Sequence, residues 1–291
     1  MKTFIANMSG RYHVLFLWSA MLVGFGLSSV FLPLVLGLST DHVEAIKASM
    51  QTHPLPWMWM NNGVQFFAFF LPAALMYTVA RKKDSLPCFP MKTSFALALL
   101  AVPAFGFMDV LGELNHVIIS WMPGLYEEVL ESENQMDAMT ELMLSSYQYH
   151  LPVVILTIAL VPAMFEEFFF RGVLQRLFMK TNGAHTAIWM SAAAFSLIHF
   201  QFLGFIPRLV MGAMLGYITW LTGNWWYSAG VHFFNNLAGI LLFVQFGSLE
   251  LQGDRLEWAI IYQLMGAIIL CLWAFLMRKN YFRYFPSEAA K

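Results

Sequence analysis

The sequence predicts an all-α polytopic membrane protein with about eight transmembrane helices. Three observations lead there. The 291 residues are 59% hydrophobic and 11% charged, whereas a soluble domain is roughly 45–50% apolar and about 25% charged. The apolar runs are long and continuous, the pattern of helices of about 20 residues rather than of alternating barrel strands. The 16 Lys and Arg are spread unevenly over the connecting segments, as the positive-inside rule requires. The same composition excludes a soluble globular chain and a disordered one. A formal net charge of −1 gives no footing for a nucleic-acid partner. The 28 Phe and 10 Trp suit lipid contact and interfacial belts.

Hydropathy places the eight segments at 14–38, 58–80, 95–111, 151–170, 184–205, 206–222, 225–246 and 258–277. The first is too long for the core of a signal peptide and is read as a retained span. Pro207 and Arg208 interrupt the stretch that holds the fifth and sixth. This predicts a helical hairpin turning at 204–207 rather than one bent helix. The fourth and fifth are expected to turn at 182–183. The sixth carries Gly212 and Gly216, a spacing that lets helices approach closely and would bring the fifth and seventh together.

Threading eight spans from a cytoplasmic N-terminus puts 13 basic residues on the cytoplasmic side: Lys2, Arg11, Arg81, Lys82, Lys83, Lys92, Arg171, Arg176, Lys180, Arg278, Lys279, Arg283 and Lys291. Only Lys47, Arg208 and Arg255 fall on the other side. Both termini are therefore expected in the cytoplasm, the membrane being the cell membrane if the source is bacterial. The acidic segment 112–150, with Glu127, Glu128, Glu131, Glu133, Asp137 and Glu141, is expected outside as a partly helical lid or connector. Residues 41–50 read as a short interfacial helix. Cys88 and Cys271 form neither a disulfide framework nor a metal motif. No internal repeat is visible. The expectation is one integral membrane domain over 1–291, with the chemistry concentrated in 150–246.

Charges within spans carry the functional argument. Burying one in a bilayer costs about 2.5–3.5 kcal/mol even on the lenient scale. The fourth span contains Glu166, Glu167 and Arg171. Glu167 and Arg171 are four apart, acid first, the favourable order for an ion pair on one helix face. Glu166 is rotated by about 100° and has no such cation. A carboxylate so placed is suited to taking and returning a proton. The fifth span holds His199, with Phe195 one turn back. The seventh holds His232 and Asn236 on one face, with Asn235 beside it. Each residue alone has an ordinary packing explanation. Together, on three helices, they are costly to keep for packing.

Three chemistries use such a set. In a hydrolase, Glu166 takes a proton from a water held by His199, and His232 and Asn236 donate to the developing oxyanion. In a zinc hydrolase, Glu166, His199 and His232 supply one oxygen and two nitrogen ligands. In a proton-coupled transporter, the same groups form a relay. The last predicts an inverted repeat, which the sequence lacks.

The residues also carry a resemblance. Residues 166–171 read EEFFFR, matching EExxxR. Residues 195–199 read FSLIH, matching FxxxH, and 232–236 read HFFNN, matching HxxxN. The chain thereby resembles the CAAX protease and bacteriocin-processing family of intramembrane endopeptidases, also called CPBP, ABI or CAAX prenyl endopeptidase-like. The three motifs occur in order over about 166–236, and the eight-span layout agrees. The resemblance implies that Glu166 activates the water, with Glu167 and Arg171 as its support. It implies that His199 positions the water and that His232 and Asn236 form the oxyanion site. Members are called metalloproteases, although a metal-free glutamate mechanism has been argued, and the sequence lacks an HExxH ligand pair. Zinc stays open as a cofactor. The implied partner is a peptide or protein substrate, prenylated in the eukaryotic members. A non-catalytic bacteriocin-immunity or scaffold role is the other outcome the resemblance allows.

Overall fold

Backbone in hydrocarbon has no water to bond, so its N–H and C=O groups must satisfy one another within each segment. The computed structural model describes residues 10–38, 42–80, 90–247 and 256–284, and these form helices and no strand. We number the helices α1 Gly10–Leu36, α2 Val43–Thr52, α3 Pro54–Ala80, α4 Met91–Ala104, α5 Met108–Ser120, α6 Pro123–Ser145, α7 Tyr147–Met179, α8 Ala184–Leu197, α9 Phe205–Thr222, α10 Trp225–Phe246 and α11 Leu256–Tyr284. Two of them contain π-helical stretches, Phe66–Phe70 in α3 and Ile155–Leu160 and Phe168–Leu174 in α7.

Among the described residues, five stretches are long and apolar enough to cross a membrane: Arg11–Leu36, Pro54–Ala80, Tyr147–Met179, Phe202–Thr222 and Trp225–Phe246. The protein is an all-α polytopic membrane protein. The other three predicted segments are helical too. Segment 95–111 falls on α4, a 3₁₀ turn at Phe105–Phe107, and α5. Segment 258–277 lies inside α11. Segment 184–205 is shorter than expected, because α8 stops after 14 residues. That is about 21 Å at 1.5 Å per residue, less than the roughly 30 Å of a hydrocarbon core.

The break between the fifth and sixth segments also comes earlier than 204–207. The helix ends at Leu197, and Phe200 takes the left-handed φ of +54°. Pro207 does not form the turn. It lies in the first turn of α9, where its missing N–H deprives the helix of no bond. The acidic segment is helical, as α5 and α6, and residues 43–52 form the short helix α2. Cys271 is exposed. Cys88 and the orienting charges Lys2, Arg81, Lys82, Lys83, Arg255 and Lys291 lie outside the described residues.

The helices gather into two compact units. The first contains α1, α2, α3, α7, the part of α6 from Asn134 and the part of α10 from Asn236. Its core is aromatic. Trp18 and Phe69 pack edge-on to Phe169, while Phe70 and Tyr77 meet Phe168. The backbones of α1 and α3 approach so closely that a Cβ on Gly24 would collide with the Phe67 carbonyl. The second unit contains α4, α5, the start of α6, α8, α9, α10 as far as Asn235, and α11. Here Gly223, at φ +66°, ends α9 and turns the chain into α10. Ser228 Oγ then bonds the Leu215 carbonyl at 2.7 Å, tying the two helices together. Trp273 Nε1 of α11 donates to the Leu97 carbonyl of α4 at 3.0 Å.

Candidate active site

In the first unit, α7 presents the three charges of the EExxxR pattern. Glu167 and Arg171 are wholly buried, and Glu166 is only 5% exposed. Arg171 Nη1 donates to Glu167 Oε1 at 2.7 Å, and the guanidinium lies 5.8 Å from the centre of the Phe170 ring. The expected i, i+4 pair is therefore formed, within a shell of phenylalanines that keeps the local dielectric low. Arg171 sits in the π-helical stretch that begins directly after Glu167. Single π turns inside α-helices recur at functional sites.

Glu166 accepts its hydrogen bond from an amide, while the Arg171 charge acts on it through space. Gln65 Nε2, at the end of the first α-helical part of α3, donates to Glu166 Oε1 at 3.2 Å. Asn62, one turn earlier, donates to Thr157 Oγ1 at 3.0 Å. Sequence reasoning missed both residues. Their signal was present: Asn61, Asn62 and Gln65 are three amides in an otherwise apolar stretch and carry the same kind of desolvation cost that made the glutamates stand out.

Asn236 belongs to this unit as well. Its Nδ2 lies 3.3 Å from the Ile158 carbonyl, within the π-helical stretch Ile155–Leu160. Bonding from i to i+5 displaces carbonyls from the regular ladder and makes them available to side chains.

The second unit holds the histidines. His199 lies just past the end of α8, and its Nδ1 is 2.7 Å from the Phe195 carbonyl. A carbonyl only accepts, so Nδ1 carries the hydrogen. In the neutral ring Nε2 is then the acceptor. His232, 4% exposed, stands on α10. The ring of Phe195 meets both: its centroid is 4.9 Å from that of His199 and 6.0 Å from that of His232. The fifth and seventh segments thus come together, as the small-residue spacing on the sixth suggested, with Gly212 and Gly216 both buried. Phe195 is 1% exposed and touches both histidines; the contact with His199 follows from their spacing, and the one with His232 does not. Asn235 Nδ2 lies 3.9 Å from Met211 Sδ, a packing contact.

Among the described residues, no group of three His, Cys, Asp or Glu side chains is gathered to hold a metal ion.

Residues 148–238 match the family model described as Type II CAAX prenyl endopeptidase Rce1-like. This segment is Rce1-like. The match agrees with the resemblance to CAAX proteases that the three motifs carry. No curated protein and no solved structure matches the chain. The Rce1-like segment runs from the start of α7 into α10 and contains Glu166, Glu167, Arg171, His199, His232 and Asn236.

Proposed function

We propose that the chain is an intramembrane endopeptidase of the CAAX-processing type, acting on a lipidated peptide through a water activated by Glu166. The observation that carries this reading is the division of labour between the adjacent carboxylates. Glu167 is engaged by Arg171, whereas Glu166 is held by the neutral amide of Gln65. Arg171 bonds one carboxylate directly and acts on the other only through space, which leaves Glu166 for proton transfer. Support for joining the carboxylates and the histidines in one reaction is the single family match from 148 to 238, which contains them all.

In this mechanism, by the roles the family resemblance implies, Glu166 takes one proton from a water that His199 positions. The water oxygen bonds to the scissile carbonyl carbon, and the electron pair of the C=O moves to oxygen. His232 and an amide hydrogen of Asn236 donate to that oxyanion. The amide nitrogen carries two hydrogens, of which Ile158 takes one. As the C–N bond breaks, Glu166 returns its proton to the leaving amine. The excess of Lys and Arg on one side supports an N-in, C-in topology with the site served from the cytoplasm.

The test is hydrolysis of an internally quenched farnesylated peptide ending in a CAAX sequence, with the protein in detergent micelles. Glu166→Gln is expected to lower kcat by about 10²–10⁴-fold while leaving a folded, monodisperse protein. Cleavage by that variant at the wild-type rate would refute the mechanism.

A further inference from the structure

The turn that follows His199 is held in a costly conformation, and the residues that hold it include two from outside the Rce1-like segment. Helix α8 ends at Leu197, and the next bonds are those of a tight turn: His199 N to Ser196 O at 3.4 Å and Phe200 N to Leu197 O at 3.1 Å. Phe200 then adopts φ +54°. A bulky residue in the left-handed region is a genuine outlier and persists only where its surroundings over-determine it. Phe200 cannot supply that determination through its own burial, because its side chain is 70% exposed.

Neighbouring groups supply it. Asn115 of α5, itself 3% exposed, points its Nδ2 at the carbonyls of both Phe202 and Leu203, each at 2.7 Å. Glu133 of α6 accepts the Leu203 N–H on Oε1 at 2.6 Å. Ser196 Oγ donates to the Phe205 carbonyl at 2.8 Å, and the Arg208 guanidinium donates to the Gln201 carbonyl. Five backbone groups over 201–205 are thus bonded by four side chains. Asn115 and Glu133 both belong to the acidic segment 112–150. All these residues lie in the same compact unit as His199.

We propose that Asn115 and Glu133 are positioning residues for His199, fixing the turn at 200–204 and with it the imidazole bonded to the Phe195 carbonyl. The inference rests on the hydrolytic role proposed for His199. Its physical content is leverage: the ring is attached one residue before a strained turn. Release of the turn lets the backbone relax and swings the ring, and a shift of about 1 Å at a reacting group costs up to roughly 10²-fold in rate. It also gives the acidic segment a task beyond connection.

The experiment uses the same farnesylated, quenched peptide with the full-length protein. Asn115→Leu removes both amide donations, and Glu133→Leu removes the acceptor. Each is expected to lower kcat by about tenfold or more while KM stays within about twofold. Glu133→Gln keeps an acceptor oxygen at the same reach, so it is expected to restore kcat to within about twofold of wild type. Hydrogen–deuterium exchange over 200–206 should accelerate in the two Leu variants and not in Glu133→Gln. Wild-type kcat in Glu133→Leu, or equal damage in Glu133→Gln and Glu133→Leu, overturns the inference. If Asn115→Leu fails to fold, the Glu133 pair decides alone, since Glu133 is partly exposed. Glu166→Gln run alongside separates the two claims. Cleavage surviving in Glu166→Gln, or absent from the wild type, sinks the functional reading and this inference with it. An inert Glu166→Gln beside a full-rate Glu133→Leu sinks the inference alone.

Discussion

Arg171 Nη1 lies 2.7 Å from Glu167 Oε1, with both side chains wholly enclosed by the protein. Removing one member of such a pair leaves a buried charge without its counterion, a loss of about 3–5 kcal/mol. Arg171→Met and Glu167→Leu are each expected to lower the Tm in detergent by on the order of 10 °C. The double variant Glu167→Leu/Arg171→Met removes both bonded partners together and is expected to unfold closer to wild type than either single variant, with Glu166 losing only the through-space effect of Arg171. Single variants as stable as wild type would show that the pair does not hold α7 in place.

The Gln65 contact sets a smaller expectation. A neutral amide donating at 3.2 Å is worth about 1 kcal/mol net, or about fivefold in rate if its loss misplaces the Glu166 carboxylate. Gln65→Leu should therefore lower kcat several-fold, with the Tm nearly unchanged. Asn62→Leu removes a comparable bond to Thr157, one turn away, and is expected to leave kcat alone. Steady-state kinetics on the two variants side by side checks this, and equal effects would argue for general loosening of α3.

The long helices could be read from the sequence because their cause is local. An apolar run of membrane length must satisfy its own backbone, so 14–38, 225–246 and their like become helices whatever surrounds them. The motif residues were legible for the converse reason, since a charge or imidazole in such a run carries a visible cost. What could not be read depends on contacts distant in sequence. Glu166 meets Gln65 across 101 residues, and the turn at 200–204 is held by Asn115 from 87 residues away. The early end of α8 has the same origin. Nothing in the SLIHFQF stretch breaks a helix by propensity, and the left-handed Phe200 is held by side chains of α5, α6 and α9. The π-helical stretches of α3 and α7 have no signature in the apolar pattern.

Metal removal gives a further expectation. The proposed reaction moves its proton through Glu166 and includes no metal step. Dialysis against EDTA and 1,10-phenanthroline is therefore expected to leave cleavage of the farnesylated peptide within about twofold of the untreated rate. Loss of activity on chelation with recovery on adding zinc would replace this mechanism with a zinc-assisted one.

The bond from His199 Nδ1 to the Phe195 carbonyl makes the two ring nitrogens separable by substitution. In His199→Asn the side-chain Nδ2 falls near the place of Nδ1 and can still donate to Phe195, but nothing replaces Nε2. In His199→Ala both functions go. If Nδ1 anchors the ring and Nε2 does the chemistry, both variants lose activity by a similar factor, on the order of 10²-fold or more. Only His199→Ala should also lose stability, by about 1 kcal/mol for the missing hydrogen bond. Peptide hydrolysis and thermal unfolding on the same preparations separate the two roles. Substantial activity in His199→Asn would show that the anchoring bond, rather than Nε2, is what the reaction needs from this residue.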